Sequence, residues 1–143
     1  MSGRELPSLA GVPLDRPRLM GIVNVTPDSF HDGGCFAATE AAVAKARQLA
    51  AEGADIIDIG GESSRPGGQA VSVEEELRRI VPVFEGLADL GVPLSIDSRR
   101  APVMAAALDR GAALVNDISA LADEAALELM AGASAPAILM HCP

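Results

Sequence analysis

The 143-residue chain carries 20 acidic against 11 basic residues, a net charge of −9. That charge argues against nonspecific binding to nucleic acid or to an anionic membrane, though a local arginine can still receive an anionic substrate. With 49% hydrophobic residues, three Phe and no Trp or Tyr, the sequence reads as one domain whose core is built from Ala, Val, Leu and Ile. Cys35 and Cys142 form no CxxC pair and read as free thiols. No apolar stretch reaches the roughly 20 residues of a membrane span. Residues 1–18 hold Pro7, Pro13 and Pro17, lack the apolar segment of a signal peptide and read as an irregular extension. A cytoplasmic location is the expectation.

From residue 19 onward, apolar runs alternate with helical patterns. The runs are Leu19–Val23, Asp55–Ile59, Val92–Ile96, Ala113–Val115 and Ala137–Met140. They are largely apolar rather than alternating, as parallel strands covered on both faces require. Thr39–Glu52 reads as a first helix, with Thr39 as N-cap and Gly53 as stop. A second helix starts at Ser72, where Ser72 and Glu75 have capping-box spacing. Leu77, Ile80, Val81, Phe84 and Leu87 supply its apolar stripe, and Pro82 is expected to kink or split it near Val81. Ala101–Arg110 and Asp123–Ala131 are the third and fourth helices, each followed by a glycine, Gly111 and Gly132. Such alternation implies a parallel α/β sheet.

Polar residues gather where each apolar run ends: Asn24, Asp58 with Glu62, Asp97, Asn116 with Asp117, and His141. In a parallel α/β fold these points share the end where ligands bind. At any single exit, Asp, Asn or Ser is as readily a turn former or helix cap, but the repetition favours a site. Two loops join the exits. The first, within MGIVNVTPDSFHDGG, offers an amide, hydroxyls, two carboxylates and Phe30. The second, GGESSRPGG, offers backbone N–H groups, Ser63, Ser64 and the Arg65 guanidinium, which suits phosphate oxygens. Neither GxxxxGK[ST] nor GxGxxG is present, so a P-loop or dinucleotide site has no support. Asp97 and Asn116 end consecutive strands and together suit a planar heterocycle with an aminopyrimidinone edge. The structural alternative is that Asp97 pairs with Arg99 or Arg100 and that Asn116-Asp117 caps a turn.

The segments MGIVNVTPDSFHDGG, GADIIDIGGESSRPGG, VPLSIDSRRA, GAALVNDISAL and ILMH, in this order from Met20 to His141, closely resemble dihydropteroate synthase. The resemblance implies a (β/α)8 TIM-type barrel, of which residues 19–143 would be the N-terminal portion with about the first five strands. It implies condensation of a dihydropterin-methyl diphosphate with 4-aminobenzoate in folate synthesis. By resemblance, Asn24 meets Mg²⁺ beside the diphosphate. Asp97 and Asn116 grip the pterin, and Ile118 and Met140 wall its ring. Ser64 and Arg65 lie near the diphosphate and aminobenzoate, which Phe30 and Pro66 cover. Asp32 stabilises positive charge on the pterin. No covalent enzyme intermediate is implied.

His31, Ser64 and Ser98 depart from the residues commonest in the family, as does Cys142-Pro143. The family's sixth-strand aspartate, seventh-strand lysine and serine and eighth-strand Arg–His site have no counterpart here. The expectation is therefore the N-terminal part of a longer, homodimeric enzyme, inactive alone and prone to aggregate through open strand edges. The alternatives are a noncatalytic pterin-binding remnant and, ranked lower, a folate-dependent methyltransferase barrel.

Overall fold

The computed structural model describes residues 7–26, 34–62 and 71–139, with the backbone alone for residues 34–36. Strands β1 (Ser8–Leu9) and β2 (Val12–Pro13) form a small antiparallel hairpin. This corrects the irregular reading for residues 8–13; residues 1–6 lie outside the described residues. Leu9 and Val12 pack on Ile56 and Leu114, partners that no local pattern announces.

Five further strands make one all-parallel sheet in the order β3 (Met20–Asn24), β4 (Ile56–Gly60), β5 (Leu94–Asp97), β6 (Leu114–Asp117) and β7 (Ala137–Leu139). Helices α1 (Gly34–Ala51), α2 (Val73–Gly86), α3 (Ala101–Asp109) and α4 (Glu124–Gly132) fill the connections, each packing on the next. Sequence-adjacent order with a helix between successive strands is the arrangement of a partial (β/α) barrel.

The two faces of the sheet differ because side chains alternate along each strand. One face carries Val23, Ile57, Ile59, Leu94, Ile96 and Val115, which pack with Ile80, Val83, Phe84, Val103 and Met104 of the helices in the main core. Phe84 is fully buried there and contributes about 1.5–3 kcal/mol. The other face changes character along the strands. Met20, Ile56, Leu114 and Ile138 form an apolar layer under the hairpin. Along the same face the row Ile22, Asp58, Ser95 and Leu114 gives way to the row Asn24, Gly60, Asp97, Asn116 and Ile138, so polar groups gather towards the C-terminal ends of β3 to β6.

Two helix expectations need correction. Helix α1 starts at Gly34, so Thr39 lies inside it rather than capping it; Phe36, Ala37 and Ala38 extend the helical run backwards. Helix α2 runs through Pro82 as one element, so the expected split does not occur. The missing backbone bond costs about 3 kcal/mol, but Ile80, Val83 and Phe84, all fully buried, hold the helix on both sides of it. At its start Ser72 Oγ accepts the Glu75 N–H at 3.1 Å. The Glu75 carboxylate pairs with Arg78 and Arg79.

Helices α1 and α3 end alike. Gly53 N–H donates to Ala50 O and Ala54 N–H to Leu49 O, while Gly111 N–H donates to Leu108 O and Ala112 N–H to Ala107 O. This pair of bonds needs a left-handed residue, supplied by Gly53 at φ +110 and Gly111 at φ +97. No helix among the described residues is long and apolar enough to cross a membrane. Large apolar side chains stand open near the sheet edges: Leu19 is 65% exposed, Ile22 51% and Leu139 49%.

Gly53→Ala is expected to cost about 1–2 kcal/mol in urea unfolding, because alanine is strained in the left-handed region. An unchanged midpoint would contradict that conformation. The 143-residue chain is expected to self-associate in sedimentation experiments, and Ile22→Ser to weaken that association. A monodisperse monomer at high concentration would contradict the role given to these exposed side chains.

Candidate functional site

Parallel pairing in even register sets four strand ends side by side. Asn24 is paired with Gly60, Gly60 with Asp97, and Asp97 with Asn116. All four occupy the sheet face opposite the main core. Gly60 keeps this row open. A Cβ there would meet Asp97 Cβ at 3.2 Å and Asp97 Oδ2 at 3.3 Å, close enough to press on the carboxylate.

Asn24 is exposed; Asp97, Asn116 and Ile118 are half-buried. Ile118 follows β6 directly and shares a small cavity with Asp97, Ser98, Arg99, Glu62 and Glu76. Asn24 borders a separate groove with Thr26 and Lys45, between β3 and α1. Of the residues expected at the site, Asp97, Asn116 and Ile118 are thus brought together, and Asn24 stands at the end of the same row. Phe30, Asp32, Ser64, Arg65, Pro66 and Met140 lie outside the described residues.

The structural alternative for Asp97 fails. Arg99 binds Glu62 at 3.0 Å, and Arg100 binds Glu62 at 3.1 Å and Glu76 at 3.2 Å. Both arginines are committed to glutamates, and Asp97 has no ion pair among the described residues. The alternative for Asn116-Asp117 splits. Asp117 does cap a turn, accepting Ser119 N–H at 2.8 Å, Ser119 Oγ–H at 2.7 Å and Leu121 N–H at 3.1 Å. That turn holds Ala120 and Leu121 in the left-handed region. Asn116 points the other way, and its Nδ2 donates to Asp58 Oδ2 at 3.1 Å.

Glu62 and Glu76 have structural tasks that sequence reasoning missed. Glu62 Oε2 accepts the Val71 N–H at 3.1 Å, and Arg100 also donates to Val71 O, so the two ends of the second loop are tied together. Arg79 adds a bond to Gly61 O at 2.9 Å. Burial works against the Glu62 carboxylate, but Arg99, the Val71 N–H and Arg100 outweigh it and hold the group below its ordinary range. Glu76 is buried, and burial pushes its carboxyl up against the pull of Ser98 and Arg100. The signal was present in the sequence: Glu76 falls on the helical stripe of Val73, Ile80 and Val83, where a carboxylate must find a partner.

Asp97 stands within this acidic group. Burial, then the charges of Asp58, Glu76, Asp117 and Glu62, push its carboxyl up to about 7. Near neutral pH the site therefore holds a carboxyl poised between forms, one that favours a ligand bringing N–H donors or positive charge.

Residues 20–143 match the model of the pterin binding enzyme family. The chain belongs to the pterin-binding enzyme family. It is 52% identical over 131 residues to the dihydropteroate synthase of Neisseria meningitidis serogroup C, covering 90% of this chain and 46% of that protein. A Xanthomonas albilineans dihydropteroate synthase solved with 4-aminobenzoic acid superposes with a TM-score of 0.85 at 56% identity, covering 92% of this chain and 49% of that one. The same enzyme solved with 7,8-dihydropteroate gives 0.82 at 51%, covering 96% and 52%. The chain thus spans about half the length of these relatives.

The raised Asp97 carboxyl has a consequence for stability. Folded Asp97 holds its proton to about pH 7, against an ordinary value of 3.8. Its ionisation therefore costs the folded state progressively as pH rises from about 4 to about 7. Asp97→Asn escapes this cost. The variant is expected to melt above the wild type by a margin that widens through that window and is constant above it. A margin independent of pH in scanning calorimetry would contradict the environment assigned to Asp97.

Proposed function

We propose that residues 19–143 are the N-terminal portion of a dihydropteroate synthase barrel, and that the whole protein condenses a dihydropterin-methyl diphosphate with 4-aminobenzoate. The observation that carries this reading is the row Asn24, Gly60, Asp97 and Asn116 at one end of a parallel sheet. It is supported by close relatives that are dihydropteroate synthases, one solved with 4-aminobenzoic acid and one with 7,8-dihydropteroate.

Asp97 and Asn116 hold the pterin edge, and Ile118 lies against the ring face. Phe30 and Pro66 cover the aminobenzoate, Ser64 and Arg65 meet the diphosphate, and Met140 completes the apolar wall. In the reaction the bond from the pterin methylene carbon to the diphosphate oxygen breaks, and its electron pair leaves with diphosphate. The amine lone pair of 4-aminobenzoate forms the new C–N bond, and the nitrogen gives up a proton to solvent. Asp32 stabilises the positive charge that develops on the pterin, and Arg65 the negative charge on the leaving group.

Mg²⁺ fits the donor that the chain provides. Asn24 offers one hard amide oxygen on an exposed side chain, and no cluster of three or more His, Cys, Asp or Glu suited to a metal occurs among the described residues. Mg²⁺ sites of this kind use one or two protein oxygens and take phosphate and water for the rest. Asn24 would hold the ion, which when bound neutralises charge on the diphosphate. The full-length enzyme is taken as a homodimer.

The test is steady-state kinetics on the full-length protein that contains this segment. Hydrogen bonds to a charged group contribute about 1.5–3 kcal/mol, or about 10–100-fold. Asp97→Ala is therefore expected to raise KM for the pterin diphosphate by that factor and to leave KM for 4-aminobenzoate within about twofold. Absence of dihydropteroate formation by the wild type, or an equal loss on both substrates, would overturn the reading.

A further inference from the structure

Asp58 has no part in the function proposed above, yet it is the carboxylate buried behind the ligand-facing row. It sits on the same sheet face as Asp97 and Asn116, paired in register with Ser95, and is 1% exposed. Its Oδ2 accepts Asn116 Nδ2 at 3.1 Å across 58 residues of chain. Its Oδ1 and the Ser95 Oγ are both buried and make no hydrogen bond in this arrangement. Burying a carboxylate is costly, and one hydrogen bond does not offset the cost. Burial accordingly pushes the Asp58 carboxyl up, opposed by the Asn116 hydrogen bond.

An amide side chain has a donor end and an acceptor end of almost the same shape. Rotation by half a turn exchanges them, and only the surroundings decide between them. An ionised carboxylate can only accept, so Asp58 selects the NH₂ end of Asn116. The carbonyl end is then left for a ligand. Asp97, next to Asn116 in the ladder, presents carboxylate oxygens on the same row.

We propose that Asp58 is a positioning residue. By engaging the Asn116 NH₂ group, it presents Asn116 Oδ1 with the Asp97 carboxylate as an acceptor pair that selects a heterocycle edge of N–H donors. This deepens the pterin reading and rests on it for the identity of the ligand, but the orienting contact stands in the free protein. Without Asp58 the amide turns freely, and an edge that carries a carbonyl in place of an amine is no longer rejected. The selectivity should therefore reside in a residue that the ligand does not touch.

The first measurement needs no ligand. The chain has two asparagines, Asn24 and Asn116. In ¹⁵N-labelled protein the Asn116 side-chain NH₂ protons are expected to exchange with solvent at least about tenfold more slowly than those of exposed Asn24, since a hydrogen bond to a charged, buried group must open first. Equal exchange would overturn the proposal. The second measurement, on the full-length protein that contains this segment, compares two probes by calorimetry: pterin, with its 2-amino donor, and lumazine, which has a 2-oxo acceptor there. The wild type is expected to prefer pterin. Asp58→Leu, close in volume and without an acceptor, should reduce the pterin-to-lumazine affinity ratio by about 10-fold or more. Asp58→Asn keeps an acceptor and should restore part of the ratio; it also carries the test if the leucine variant does not fold. Equal weakening of both probes would show a structural role alone and overturn the proposal. Slow Asn116 exchange in a wild type that binds neither probe would support the orienting contact and overturn the pterin reading.

Discussion

The site depends on strand register. Because side chains alternate from one face of a strand to the other, a slip of one residue in β5 would turn Asp97 towards the helices and bring Ile96 to the polar row. The opposite face prevents that slip. Val23, Ile57, Ile59, Leu94, Ile96 and Val115 are locked into one apolar core with α1, α2 and α3. Packing on one face thus places chemistry on the other, and the polar row needs no strong interactions of its own to stay aligned.

The electrostatics follow from the same geometry. Asp58, Asp97, Asp117, Glu62 and Glu76 converge near one end of the sheet because strands and loops deliver them there together. Arg99 and Arg100 are near, but Glu62 and Glu76 take them. Those pairs tie Glu62 and Val71, the ends of the second loop, to α2 and to the start of α3. Asp97 is left to face its acidic neighbours, which is why its carboxyl rises to about 7. A site that leaves one carboxylate unmatched is prepared for a ligand that supplies the missing donors. The same acidity would disfavour an anion at this position.

Local patterns revealed most of the fold. Four helices and the five strands of the parallel sheet follow from apolar periodicity, and glycine stops end α1 and α3, whereas the expected stop Gly132 is the last residue of α4. Errors arose where distant contacts overrode local preference. Pro82 does not split α2, because buried Val83 and Phe84 are worth more than the lost backbone bond. Thr39 does not cap α1, because an alanine-rich run carries the helix back to Gly34. The hairpin of residues 8–13 was hidden because its partners, Ile56 and Leu114, lie far along the chain.

The sequence by itself determined the elements and the residue types at the strand ends, because both follow from periodicity and local turn chemistry. Its long motifs determined the family. Only the tertiary structure decided how those residues divide their work. It gave Asp117 to a turn, Arg99 and Arg100 to glutamates, and Asn116 to buried Asp58. These choices depend on cross-strand pairing between segments tens of residues apart. Register is a property of the packed sheet as a whole, and no single segment of the chain contains it.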